Sequence, residues 1–215
     1  MLMKRFRTLL TLGGLLAGLP AAQAQYFGIK GGLNAAVLDG QQISQNTKYK
    51  TSFHGGVFYN YNLIGPLSLR PELQYSMQGS EFKSAQEDFT TKLHYLAIPV
   101  LLDLKIGPVH VQGGPQFGVL LRAEQDGKRF LGYSVSGDEE YGSVGGQITN
   151  QFKRQDFSLC AGAEIDLGRT FTVGGRFNAG LNDIADYKDI RSANDPRLKN
   201  RVIQGYLALR FGGDR

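Results

Sequence analysis

Residues 67–78 read Leu-Ser-Leu-Arg-Pro-Glu-Leu-Gln-Tyr-Ser-Met-Gln, and this order decides the fold. In an extended chain successive side chains point to opposite faces. Leu67, Leu69, Pro71, Leu73, Tyr75 and Met77 therefore share one face, and Ser68, Arg70, Glu72, Gln74, Ser76 and Gln78 share the other. Wound as a helix, the same residues would mix polar and apolar groups around the whole circumference. The segment is a strand that divides an apolar surface from a polar one.

The pattern recurs on both sides of it. Residues 26–37 set Phe27, Ile29, Leu33, Ala35 and Val37 against Lys30 and Asn34. Residues 51–63 set Phe53, Val57, Tyr59, Tyr61 and Leu63 against Ser52, His54, Asn60 and Asn62, with Phe58 interrupting the polar set as a residue packed inside. Downstream, 91–106, 109–122, 156–167, 171–182 and a last strand around 203–211 alternate in the same way, with His110, Gln112, Gln116 and Arg122 on the polar side of the fifth. The expectation is eight strands with no helix between them. Their links alternate between short turns at Gly65-Pro66, Gly107-Pro108 and Gly168-Arg169 and long polar loops such as 39–50, 80–88, 123–155 and 183–199. That alternation predicts an all-β, eight-stranded antiparallel up-and-down barrel with every short turn at one end. Within 123–155, Phe130, Leu131, Tyr133 and Val135, then Val144, Ile148 and Phe152, read either as a two-stranded ribbon beyond the barrel or as two more barrel strands, which would make ten.

The N-terminus carries a different signal. Lys4, Arg5 and Arg7 precede an apolar block from Leu9 to Leu19, followed by Pro20 and Ala22-Gln23-Ala24. Basic, apolar and small-residue regions in that order predict a secretory signal peptide over 1–24 and a barrel domain over 25–215. The apolar block falls short of the roughly 20 residues a spanning helix needs. The three basic residues of this leader come out of 24, leaving 21 against 19 acidic ones, so the formal charge of +5 drops to +2. No nucleic-acid partner is expected from so small an excess. Cys160 is the only cysteine, which excludes an intramolecular disulfide framework and leaves the sheet to supply stability.

Alternation fits a soluble barrel with an apolar cup as well as a transmembrane barrel with an apolar exterior. Apolar runs of roughly 9–11 residues per strand match a bilayer crossing. Phe27, Tyr59, Tyr61, Phe171 and Phe211 gather towards the short-turn end and Phe53, Tyr75 and Phe157 towards the other, as two interfacial girdles would. Short turns at one end and long polar loops at the other complete the reading of a barrel in the outer membrane, in contact with its lipid and monomeric.

The glycine-rich first strand, Tyr95-Leu96-Ala97-Ile98-Pro99, Gly107-Pro108 and Gly113-Gly114-Pro115, behind a signal peptide, resemble the PorT-type outer-membrane β-barrel family of Bacteroidota. The resemblance covers the chain after the leader. It implies a small outer-membrane barrel, and its motifs are structural rather than catalytic.

Lys30, Arg70, Glu72, Asp103, Lys105, Glu164, Asp166, Arg176 and Arg210 fall on the inner face, together with His54 and His110. Both signs are present, and an eight-stranded barrel is only just wide enough for its own side chains, so a self-paired ionic interior is expected. A narrow passive channel lined by Arg70, Arg176 and Arg210 is the second reading. A hydrolase is the third, with Ser52 and His54 two apart on one face and Asp186 or Asp189 approaching from a loop. His54, His94 and His110 lie on separate strands and make no metal cluster. Asp138-Glu139-Glu140 and the series Asp183, Asp186, Asp189 and Asp195 match no calcium-loop spacing and read as solvated surface. No cofactor motif is present, and no enzyme activity is expected. Function is expected in envelope structure or surface contact, carried by loops 37–50, 123–155 and 183–199, with a protein partner reached through 123–155.

Overall fold

The computed structural model describes residues 25–39, 47–83, 88–133, 139–186 and 198–212. They form nine strands: β1 (Tyr26–Asp39), β2 (Thr47–Ile64), β3 (Leu67–Lys83), β4 (Asp88–Ile106), β5 (Val109–Tyr133), β6 (Glu139–Gln147), β7 (Gln155–Leu167), β8 (Phe171–Gly180) and β9 (Lys199–Gly212). Every pairing is antiparallel. The order β4-β3-β2-β1-β9-β8-β7-β5 closes on itself through β4–β5, giving a ring of eight. First and last strands meet from Tyr26↔Gly212 to Asp39↔Lys199, which removes the free edge a membrane would not tolerate. The sixth strand pairs with β5 alone and stands outside the ring, so the ten-stranded alternative does not hold.

The three short turns each place a glycine in the left-handed region: Gly65 at φ 54°, Gly107 at 63° and Gly168 at 76°. A side chain at these positions would be strained, which is why glycine recurs where the chain reverses in so few residues.

Around the ring the burial pattern inverts that of a soluble domain. Along β3, Arg70, Glu72, Gln74, Ser76 and Gln78 point inward and each is at most 4% exposed, while Leu73 and Tyr75 are exposed. The outward rows are rich in large apolar residues, among them Ile29, Val57, Leu102, Leu159, Ile203 and Leu207. Phe27 stacks on Phe211 at 5.3 Å near the short turns, and Phe117 meets Phe157 at 5.0 Å nearer the long loops.

The wall is not of even height. The pairing of β5 with β7 ends at Val119↔Gln155. Its pairing with β4 continues to Asp88↔Lys128, and with β6 to Tyr133↔Glu139. Fourteen residues of β5 thus run past its last contact with β7, roughly 45 Å along the strand at ~3.3 Å per residue. Segments expected as loops are strand here: Thr47–Lys50, Ser80–Lys83 and most of 123–147 extend the sheet on the β2–β6 side. Alternation does not mark them, because a strand standing in water on both faces needs no apolar row. A register shift between His94 and Tyr95 of β4, opposite Arg122 and Leu120 of β5, gives β5 one extra residue. This bulge turns Arg122 outward, correcting its expected place on the inner face, and returns Ala123 to the interior.

On the low side, the chain after β6 makes one turn of 3-10 helix, Thr149–Gln151, and folds over the barrel mouth. Phe152 bridges Ala185, Lys153 N donates to Ile184 O at 2.8 Å, and Ile184 N donates to Leu198 O at 2.9 Å. Phe152, Ile184, Ala185 and Leu198 pack on inward-facing Leu38, Leu93, Tyr95, Leu120 and Ala123 as one buried apolar cluster. Burial contributes about 1.5–3 kcal/mol for each large side chain removed from water, which favours the lid segment lying against the barrel.

Candidate functional site

The inner half of the barrel, towards the short turns, holds one continuous set of ion pairs. Inward positions on β1, β3 and β8, no two of them adjacent in the ring, bring Lys30, Glu72 and Arg176 together across the lumen. Glu72 takes Lys30 Nζ at 2.9 Å and the two Arg176 nitrogens Nη1 and Nη2 at 2.8 and 2.9 Å, and Gln74 donates to it as well. Arg176 Nη2 also donates to Gln112 Oε1 at 2.9 Å, and Gln112 Nε2 donates to Asp103 Oδ2 at 3.1 Å. Asp103 pairs with Arg70 at 2.5 Å, and Arg70 Nη1 reaches Glu164 at 2.7 Å across the barrel. Tyr206 donates its hydroxyl to Glu164 at 2.8 Å and lies under the Lys30 ammonium, 4.1 Å from its ring centre. Nearer the turns, His110 bridges Asp103 at 2.8 Å and Asp166 at 3.2 Å, and Asp166 also meets Arg210 at 2.8 Å and Lys105 at 3.2 Å.

All nine charged residues expected on the inner face belong to this set. Seven are buried or nearly so, whereas Lys105 is half exposed at the mouth and Asp166 is partly exposed beside it. Away from Lys105, four cations (Lys30, Arg70, Arg176, Arg210) meet four carboxylates (Glu72, Asp103, Glu164, Asp166). Burial without such balance would cost several kcal/mol per ion. Sequence reading set Gln112 and Tyr206 in polar rows but did not single out Tyr26, Gln112 or Tyr206 as the neutral members that join the pairs. An aromatic such as Tyr206 standing in a polar row was the available signal.

Above the ion pairs the interior is polar and almost uncharged. Asn34 Nδ2 donates to Met77 O at 2.6 Å and Ser76 Oγ at 3.1 Å, and Gln204 Nε2 donates to Asn34 Oδ1 at 3.0 Å. Asn200 Nδ2 donates to Asp156 at 2.7 Å. Ser158 Oγ, both amide atoms of Asn178 and both ring nitrogens of His54 are buried with no protein partner.

Ser52 and His54 are not hydrogen-bonded to each other. Ser52 Oγ donates to Met77 O at 2.6 Å, and the His54 ring packs edge-on against Tyr206. Asp186 lies in the lid, and Asp189 falls outside the described residues, as do Asp138 and Asp195. Among the described residues no three His, Cys, Asp or Glu side chains gather as metal ligands. His94 is on the outer face, its Nδ1 2.5 Å from the Tyr75 hydroxyl. Cys160 is buried on the inner face.

The lid has its own polar anchor. Asp183 accepts Lys153 Nζ at 2.9 Å, Leu198 N at 3.0 Å and Ala185 N at 3.1 Å. Partial burial pushes its carboxyl pKa up, and the Lys153 and backbone hydrogen bonds outweigh it, so the group lies below the usual aspartate value.

An apolar belt between two aromatic girdles, a charged interior and short turns at one end define a small transmembrane β-barrel. No helix of the described residues is long and apolar enough to cross a membrane, and the crossing is made by strands. Residues 21–186 match the family model described as outer membrane protein beta-barrel domain, and the chain belongs to that family. It is an outer-membrane protein, its apolar belt in contact with lipid. No curated protein matches the sequence. Similar solved structures include Ail, the attachment invasion locus protein of Yersinia pestis, at 13% identity and TM-score 0.48 over 88% of this chain and 100% of that one. Neisserial surface protein A is similar at 11% identity and TM-score 0.46, over 86% and 97% of the two chains. OprG of Pseudomonas aeruginosa is similar at 13% identity and TM-score 0.43, over 89% and 98%.

Proposed function

We propose that this protein is a non-enzymatic, monomeric barrel with a closed lumen that works at the cell surface through its outward segments, after export by a signal peptide over 1–24. The observation that carries this reading is the division of labour between the two halves. The interior is spent on internal pairing, as the nine charged residues from Lys30 to Arg210 all bond to one another and only those at the short-turn mouth border open space. The outer end instead extends the β5–β6 ribbon well past the ring, with the far edge of β6 unpaired by any described strand. An unpaired edge offers backbone donors and acceptors to an extended partner segment, so strand addition is the mode of contact it suits.

The test has two arms. Refolded residues 25–215 in a planar bilayer are expected to give no discrete conductance steps, and reproducible steps would reject the closed lumen. In cells, a photo-crosslinker at Ser143 on β6 is expected to give discrete protein adducts, while one at lipid-facing Leu207 gives none. Equal labelling at both positions would reject the ribbon as the contact surface.

A narrow passive channel is the second reading, favoured by the unpartnered polar atoms of His54, Ser158 and Asn178 in the upper interior. The conductance arm separates the two.

A further inference from the structure

The short-turn end of the barrel opens into a vestibule of about 630 Å³. In outer-membrane barrels that end faces the periplasm. The volume lies within the range of small-molecule sites, roughly 300–1,000 Å³. We propose that this vestibule is a binding site for a compact oxyanion, a carboxylate or phosphate group, presented from the periplasmic side.

The charge at its wall is unbalanced. Lys105, Arg169 and Arg210 line it, and Asp166 is the sole acid among the lining residues. That one carboxylate is shared between Lys105, Arg210 and the His110 ring. Arg169, in the exposed turn between β7 and β8, makes no ion pair among the described residues and is free to close on a ligand with its planar fork.

Neutral donors point the same way. Tyr26 Oη accepts from Arg70 Nη2 at 2.9 Å, which leaves its own O–H to donate into the vestibule that it lines. Arg210, with a side chain 9% exposed, gives Nη1 to Asp166 and Nη2 to the Gly168 carbonyl at 3.1 Å. Its buried Nε has no partner in the protein. Surplus cations and unused N–H and O–H donors around one concavity suit an acceptor-rich anion and disfavour a cation. Tyr26 and His110, which line the vestibule, are held in place by the ion-pair set through Arg70 and Asp103.

The test uses the refolded chain in lipid nanodiscs, titrated separately with citrate and with inorganic phosphate while the amide resonances of Gly168 and Arg169 are followed. Saturable shifts with either probe are expected, and the probe that binds identifies carboxylate or phosphate as the recognised group. Arg169→Gln, in an exposed turn where folding is not at stake, is expected to weaken binding about tenfold, as loss of one charge-assisted contact does. Arg122→Gln, on the opposite end of the barrel, is expected to leave it unchanged. Absence of saturable shifts with both probes, or equal affinity in Arg169→Gln and the unaltered chain, would overturn the proposal.

Discussion

Arg176 and Glu72, 104 positions apart in the chain, meet inside the barrel through two parallel hydrogen bonds, Nη1–Oε2 at 2.8 Å and Nη2–Oε1 at 2.9 Å. The Lys30 ammonium shares the same carboxylate at 2.9 Å. One anion thus holds two buried cations, and the three residues are not equivalent. Arg176→Met leaves Glu72 paired with Lys30. Glu72→Gln leaves two buried cations facing each other without their shared carboxylate. Removing one member of a buried pair costs about 3–5 kcal/mol, so Glu72→Gln is expected at or above the top of that range and Arg176→Met near its lower end. Replacing Lys30, Glu72 and Arg176 together by methionine is expected to restore most of the loss, since an apolar replacement leaves no stranded charge. Urea midpoints of the refolded barrel in vesicles give the ranking. An equal loss for both single variants would show that Glu72 is not the shared anion.

The outward rows allow a test of what surrounds the barrel. Leu207 is 59% exposed and lies on β9 midway between Ile203 and Phe211, the latter stacked on Phe27 at the short-turn girdle. On a protein in water, a charge at so exposed a position would change stability by no more than about 0.5 kcal/mol. In a bilayer, arginine near the midplane of a barrel costs about 2–4 kcal/mol. Leu207→Arg is therefore expected to lower the unfolding free energy by about 2–4 kcal/mol in lipid vesicles. A change below about 0.5 kcal/mol would mean that this row does not face hydrocarbon.

How far the sequence could be read follows from the same physics. Where a strand separates hydrocarbon from a polar interior, two unlike environments impose strict alternation. Arg70, Glu72 and Gln74 against Leu69, Leu73 and Tyr75 therefore gave both the strand and its facing. The identity of the charged residues was legible because alternation assigns a face, but their partners were not. Arg176 and Glu72 lie on strands that are not neighbours, and only barrel closure brings them across the lumen. The ribbon was half legible, since Gly145-Gly146 and polar residues in β6 carry no apolar row to mark a strand in water. The lid was not legible. Ile184 is the one large apolar residue between Asn182 and Asp186, and nothing local says that it will sit at 0% exposure beneath Leu198 and Phe152. The bulge that turns Arg122 outward is a one-residue event, which periodicity locates only after the register is known.

The lid supplies a pH dependence whose sign is fixed by its anchor. Asp183 accepts Lys153 Nζ and the backbone N–H groups of Ala185 and Leu198, and its carboxyl lies below the ordinary aspartate value of about 3.9. A group whose pKa is depressed by folding contributes stability that is complete above its unfolded value and lost as pH falls through the folded one. The lid is therefore expected to stay down from neutral pH to about 5 and to loosen only below about 4. Amide exchange at Ala185 and Leu198 reads this directly, because both N–H groups are held by the carboxylate. In Asp183→Asn the Lys153 contact loses its charge and one acceptor oxygen becomes an amide. Protection of both amides, relative to the intrinsic exchange rate, is then expected to be lower than in the unaltered chain at pH 7, with little further change on acidification. Exchange in the ring strands, for example at Leu207, is expected to be the same in both proteins at both pH values. If the unaltered chain showed the same protection at Ala185, relative to the intrinsic exchange rate at each pH, at pH 3 as at pH 7, with Asp183→Asn indistinguishable from it, the lid would be held by Phe152, Ile184 and Leu198 alone and Asp183 would have no part in it.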